Sequence, residues 1–246
     1  MKKIITLLLC FFISFSLFAQ KDSSKKLGGL FKKATSILSK NSEQSTGLSK
    51  AEIVSGLKEA LSRGSQKSSA KLSMTDGFFK DAAVKILLPK EAQSVEEKMR
   101  AVGMGKLIDN AVLSMNRAAE DASKQAAPIF LAAIQKMTIE DALNILKGSD
   151  TAATSYLRIE TTPRLVAAFK PIVEESLKKV KATKYWNDVF KTYNRFTDKP
   201  VDTDINSYVT TQALNGLFYY VAQEEVNIRE NPAARVNDIL KKVFAK

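Results

Sequence analysis

The side chains that could do chemistry in this sequence are carboxylates, and three pairs stand out: Glu120-Asp121, Glu140-Asp141 and Glu224-Glu225. Carboxylate hydrolysis needs two such groups about 5–10 Å apart across a cleft. Neighbours on one helix point about 100° apart, so neither member of a pair has to face the other. Glu140 and Asp141 also fall where a helix starts, and negative charge there suits the helix dipole. The structural reading is therefore preferred for all three. Catalytic residues are expected to be none. The chain contains no histidine and a single cysteine, Cys10, which lies in the apolar amino-terminal run. A thiol nucleophile, a Ser-His-Asp triad, an ordinary zinc site and a histidine proton switch are thus excluded from the remainder. No calcium-loop spacing occurs, so no metal is expected, and no cofactor either. Gly103-Met104-Gly105 lacks the strand before it and the Gly-Lys-Ser/Thr after it that a phosphate loop requires.

Binding chemistry has more candidates. Asn116, Glu120 and Lys124 recur every four residues, which reads as a solvated helix face carrying an i, i+4 ion pair. Asp150, Thr154 and Arg158 have the same spacing, with Asp150 as a helix cap and Arg158 on the surface; Thr154 and Arg158 could hold an anion. Arg117, Arg229 and Arg235 complete the candidate ligand-binding set, although arginines near helix ends commonly bind free carbonyls, or a carboxylate such as Glu225.

The elements that position these groups read as helices. Ser49-Lys50-Ala51-Glu52 is a capping box before a helix with Ile53, Leu57, Ala60 and Leu61 on one face. Thr75-Asp76-Gly77 is a turn. Ala83–Leu88, closed by Pro89, is the one strand-like run, read equally as a stretched connector. A second helix covers about Glu91 to Val102. Leu107 to Met137 keeps one alanine-rich apolar face, with Pro128 either kinking one helix or separating two. Thr138 caps the next helix and Gly148 ends it. Asp150 then caps a short helix through Arg158, and Thr162-Pro163 starts another containing Pro171. Tyr185, Trp186, Val189, Phe190 and Tyr193 form an aromatic stripe, read as core. A long helix follows Asp204, and Asn231-Pro232 starts the last. The expectation is an all-α globular bundle of about eight to ten helices with essentially no sheet.

The amino terminus has a different character. Lys2 and Lys3 precede 16 uncharged residues, Ile4 to Ala19. That is short for a membrane span and right for a signal peptide cut after Ala19. Cys10 follows Leu9 inside the run, unlike a lipidated cysteine. The expected organisation is a signal peptide over 1–19, a basic tether over 20–47 and a single helical domain over 48–246, exported to the periplasm or envelope of a Gram-negative bacterium. Within the tether, Leu27, Leu30 and Phe31, flanked by Lys32 and Lys33, could lie weakly on an anionic membrane. The net charge of +12 favours anionic lipid or polyanion; nucleic acid is not expected as a partner outside the cytoplasm.

The segments LSKAEIVSGLKEAL, DGFFKDAAVKILLP, MTIEDALNILKG, DINSYVTTQALNGLFYYVAQEE and IRENPAARVNDILKKVF occur in that order between Leu48 and Phe244. Together they resemble the domain-of-unknown-function family numbered 4197. The resemblance implies an exported bacterial protein and supplies no catalytic residue. The expected function is a non-catalytic envelope protein that binds an unknown protein partner or surface. The alternatives are a helical module for an apolar or lipid-like ligand, and a carboxylate-dependent hydrolase. Mass spectrometry of protein from the native host should find a chain starting near Gln20 without lipid; a diacylated peptide starting at Cys10 would overturn that reading.

Overall fold

The computed structural model describes residues 49–179, 183, 186, 187, 190, 191, 194, 200, 204–231, 234, 235 and 238–243. The expected signal peptide over 1–19 and the tether candidates Leu27, Leu30, Phe31, Lys32 and Lys33 lie outside them, as do Tyr185, Val189, Tyr193 and Pro232. The helices are α1 (Lys50–Ser73), α2 (Gln93–Ala101), α3 (Gly105–Ser123), α4 (Ala126–Lys136), α5 (Ile139–Lys147), α6 (Ala152–Lys179), α7 (Ile205–Glu230) and the short α8 (Asp238–Val243), with a single 3-10 turn at Lys90–Ala92. No strand occurs among the described residues. Leu48–Lys246 is one compact unit.

Among the described residues, seven of these helices have nine residues or more, against the eight to ten expected for the whole chain. The main correction is at α6. The sequence suggests a short helix ending at Arg158 and a new start at Thr162-Pro163, yet a single helix runs from Ala152 through both Pro163 and Pro171. Each proline removes the hydrogen bond to the carbonyl four residues back, here those of Ile159 and Ala167. Both positions are exposed, so water can take the freed carbonyls. The hydroxyls of Thr161 and Thr162 also bond back to the carbonyls of Leu157 and Arg158, at 2.5 and 2.6 Å. Tertiary packing holds the rest: Leu157, Leu165, Phe169, Val173 and Leu177 on the other face are completely buried.

Elsewhere local signals and structure agree. Ser49 and Glu52 form the capping box of α1, and Thr138 and Asp141 that of α5. The break between α3 and α4 falls at Lys124-Gln125, so Pro128 sits in the first turn of α4, where a proline costs least. The central helix α3 packs against α6 and α7, and α1 packs against α4 and α7. Alanines 118, 119, 122 and 126 are wholly buried at the α3–α4 corner, where small side chains let backbones approach. Of the aromatic stripe, Trp186 and Phe190 are buried and in contact, with ring centroids 4.3 Å apart. Phe130 meets Phe218 edge to face at 5.7 Å.

One close approach controls the corner below α1. A Cβ on Gly216 of α7 would lie 2.6 Å from Cε1 of the fully buried Phe78. Gly216→Ala should therefore destabilise by about 1–3 kcal/mol from overpacking, more than the helix-propensity gain of alanine recovers. Gly64→Ala on α1 should stabilise by about 0.5–1 kcal/mol, because its Cβ would meet Glu224 Cβ at an ordinary 3.4 Å. Urea unfolding of the two variants checks the opposite signs.

Candidate functional site

Two glutamates are taken almost completely out of water, and both serve the backbone of a distant segment. Glu225 on α7 is 5% exposed at its side chain. One carboxylate oxygen accepts the Ala153 N–H at 2.9 Å; the other accepts the Thr154 N–H and the Thr154 hydroxyl, both at 2.8 Å. These are amides of the first turn of α6, which no earlier element of the helix can satisfy. Arg229, one turn along α7, donates two bonds to the same carboxylate and one to the Ile145 carbonyl at the end of α5. Arg235 closes the set by donating to the carbonyls of Ile228 and Arg229. A single carboxylate thus caps α6 across 71 residues of sequence and ties it to α5 and α7.

Glu120 on α3 repeats the device. It accepts the N–H groups of Phe78 and Phe79 at 3.1 and 3.2 Å, and its other oxygen takes Arg117 at 2.6 Å. Arg117 reaches on to Asp76 at 2.6 Å, and Lys80 pairs with the second Asp76 oxygen. Asp76 sits at φ 70°, and a Cβ on the adjacent Gly77 would strike the Lys71 carbonyl at 2.6 Å. The turn that delivers Phe78 into the core is therefore held by one buried carboxylate and required to be glycine at its tip. Lys80 and Arg117 keep the Asp76 carboxyl below its ordinary value.

Several expectations are corrected by this geometry. The Asn116–Glu120–Lys124 stripe is not a solvated face: Asn116 and Glu120 are buried, and Lys124 pairs with Asp121 rather than Glu120. Asn116 instead brackets the extended connector, accepting the Ile86 N–H at 2.9 Å and donating to the Ile86 carbonyl at 2.8 Å. Thr154 and Arg158 do not converge: Thr154 is consumed by Glu225, and Arg158 lies over the Phe218 ring at 4.3 Å. Asp150 is not the cap of α6. The members of each carboxylate pair diverge. Asp121 and Glu140 are exposed, the Asp141 carboxylate closes the α5 capping box by accepting the Thr138 N–H, and Glu224 pairs with Lys67 at 2.7 Å. Sequence inspection missed Asp81, whose carboxylate accepts the Tyr220 hydroxyl and pairs with Lys71 at 3.1 Å, while the Lys71 ammonium sits 3.7 Å over the Tyr220 ring. Burial pushes the Asp81 carboxyl up, but Tyr220, Lys71 and the Ala83 N–H outweigh it and hold it below its ordinary value.

Among the described residues, two grooves open at the surface. A groove of about 700 Å³ opens between the connector Lys85–Pro89, α2, α3 and the start of α7. A second, of about 510 Å³, runs between α1 and the end of α7. The space beside Glu225 is only about 10 Å³. Among the described residues no group of three or more acidic side chains is placed to hold a metal ion, and no helix is long and apolar enough to cross a membrane.

These features define a helical bundle with carboxylate-pinned turns and an open lateral groove. Residues 47–245 match the family model described as Protein of unknown function (DUF4197), and the chain belongs to that family. No curated protein and no solved structure matches it.

Glu225→Gln should cost about 2–4 kcal/mol, since it leaves buried donors and the mostly buried Arg229 guanidinium short of charge; Glu120→Gln should cost less, about 1–3 kcal/mol, because its Arg117 partner is 38% exposed at the side chain and can turn to water. Glu140→Gln should change stability by less than about 0.5 kcal/mol; chemical denaturation distinguishes them. Asp76 and Asp81 are both depressed below the ordinary 3.8. Their stabilisation is complete above that value and lost as pH falls through the folded-state values. With no histidine in the chain, melting temperature should stay level from about pH 8 to 5 and fall in the acid range. Asp81→Asn should shrink that acid fall in a calorimetric pH series.

Proposed function

We propose that the protein is a non-catalytic binding protein of the bacterial envelope, whose helical body presents a partner-binding groove beside the connector Lys85–Pro89. The observation that carries this reading is where the open space lies relative to the polar chemistry. Glu120, Glu225, Arg117 and Arg229 are occupied by backbone and by one another. The roomy concavity is at the surface, next to Leu87, which is 57% exposed. A lipid-like ligand held between helices would call for an apolar cavity of several hundred Å³. The roughly 10 Å³ beside Glu225 barely holds one water, which supports the surface over the interior. The Lys-led apolar start and Ala19 support export with removal of residues 1–19.

A photo-crosslinking amino acid placed at Leu87 in the native host should give one discrete adduct. The same group at Ile159, 75% exposed on α6, should not give it. No adduct from position 87, or the same adduct from both positions, would sink the groove reading.

A further inference from the structure

We propose that the groove takes an extended segment of a partner polypeptide, which pairs its backbone with the free edge of the connector. This rests on the groove being the binding surface. The connector behaves as a strand without a sheet. Val84, Ile86 and Leu88 are buried while Leu87 between them is exposed, the alternation of extended chain with one face in a core. In extended backbone, the N–H and C=O of one residue share an edge, and neighbouring residues use opposite edges. The Ile86 edge is filled by the Asn116 carboxamide, which stands where a neighbouring strand would.

The opposite edge belongs to Lys85 and Leu87. Tyr208, which lines the groove, donates to the Leu87 carbonyl at 2.8 Å, so this edge faces the groove. The Lys85 N–H is used by the Asp81 carbonyl. The Leu87 N–H and the Lys85 carbonyl have no partner among the described residues. That donor and acceptor lie two residues apart on one edge, the spacing at which an added strand bonds. Pro89, lacking an N–H, ends the edge. The backbone of an extended polypeptide offers the complementary donor and acceptor in register and repeats them along an edge.

Arg100 in the groove wall is neutralised by Glu96 and Asp109. Lys85, Lys90 and Glu91 line the groove without ion pairs among the described residues. Counting Arg100 with Glu96 and Asp109, the lining carries three cations and three anions, so it selects no net charge in the occupant, and lysines along an edge oppose its pairing with a second copy of itself.

The probe is a random dodecapeptide phage library selected on the chain from Gln20 to Lys246, followed by synthetic peptides of the selected sequences. The expected result is a peptide whose binding slows exchange of the Leu87 amide at least tenfold. N-methylation at alternate peptide positions should weaken it at least tenfold, while methylation at the intervening positions leaves it nearly unchanged. Leu87→Pro, which removes the amide from already extended chain, should weaken it equally; should that variant fail to fold, the methylation series decides alone. Peptides that protect the connector but show no alternation would overturn the strand-pairing inference and leave the groove reading standing. Peptides mapping elsewhere, or no enriched peptide, would overturn both.

Discussion

The fold depends on a carboxylate placed at the start of someone else's helix. A helix begins with backbone amides that no residue within it can satisfy, and burying them uncapped costs roughly 1–3 kcal/mol each. α6 is the longest helix among the described residues, at 28 residues, and its first turn is buried against α7. Glu225 supplies the acceptors, and Arg229 supplies the charge that lets a carboxylate remain there. Because the donors and the acceptor are 71 and 72 residues apart, the contact forms only when α6 and α7 are already in register. It is a test of correct assembly as much as a source of stability.

Glu120 applies the same physics to a turn. By gathering the amides of Phe78 and Phe79, it fixes the direction in which the chain leaves α1, and so the insertion of Phe78 against Gly216. Asn116, one turn earlier on α3, does for the connector what a neighbouring strand would do. A single face of α3 therefore serves three roles: alanines for helix contact, an amide for extended chain and a carboxylate for a turn. Each polar group on it is paired, as buried polar groups must be.

This use of ionisable groups bears on function. Among the described residues, Glu120, Glu225, Arg117 and Arg229 are occupied by backbone and by one another. The groove beside the connector is bordered by extended chain, a tyrosine and a mixture of charges.

The sequence alone determined the helical class, the boundaries carrying local caps, the turn at Thr75-Asp76-Gly77 and the connector stopped by Pro89. Each is written within about four residues, the range over which side chains can reach neighbouring backbone. It also excluded thiol and histidine chemistry by composition. Tertiary structure decided the rest. It carried α6 through Thr162-Pro163, a strong local start signal, because a buried apolar face outweighs two lost hydrogen bonds whose carbonyls meet water. It turned the Asn116–Glu120 stripe from surface to core, because helical spacing gives the face but not which way it points. It also paired Glu225 with Ala153 and Thr154, since a cap drawn from 71 residues away leaves no local pattern for a sequence to display.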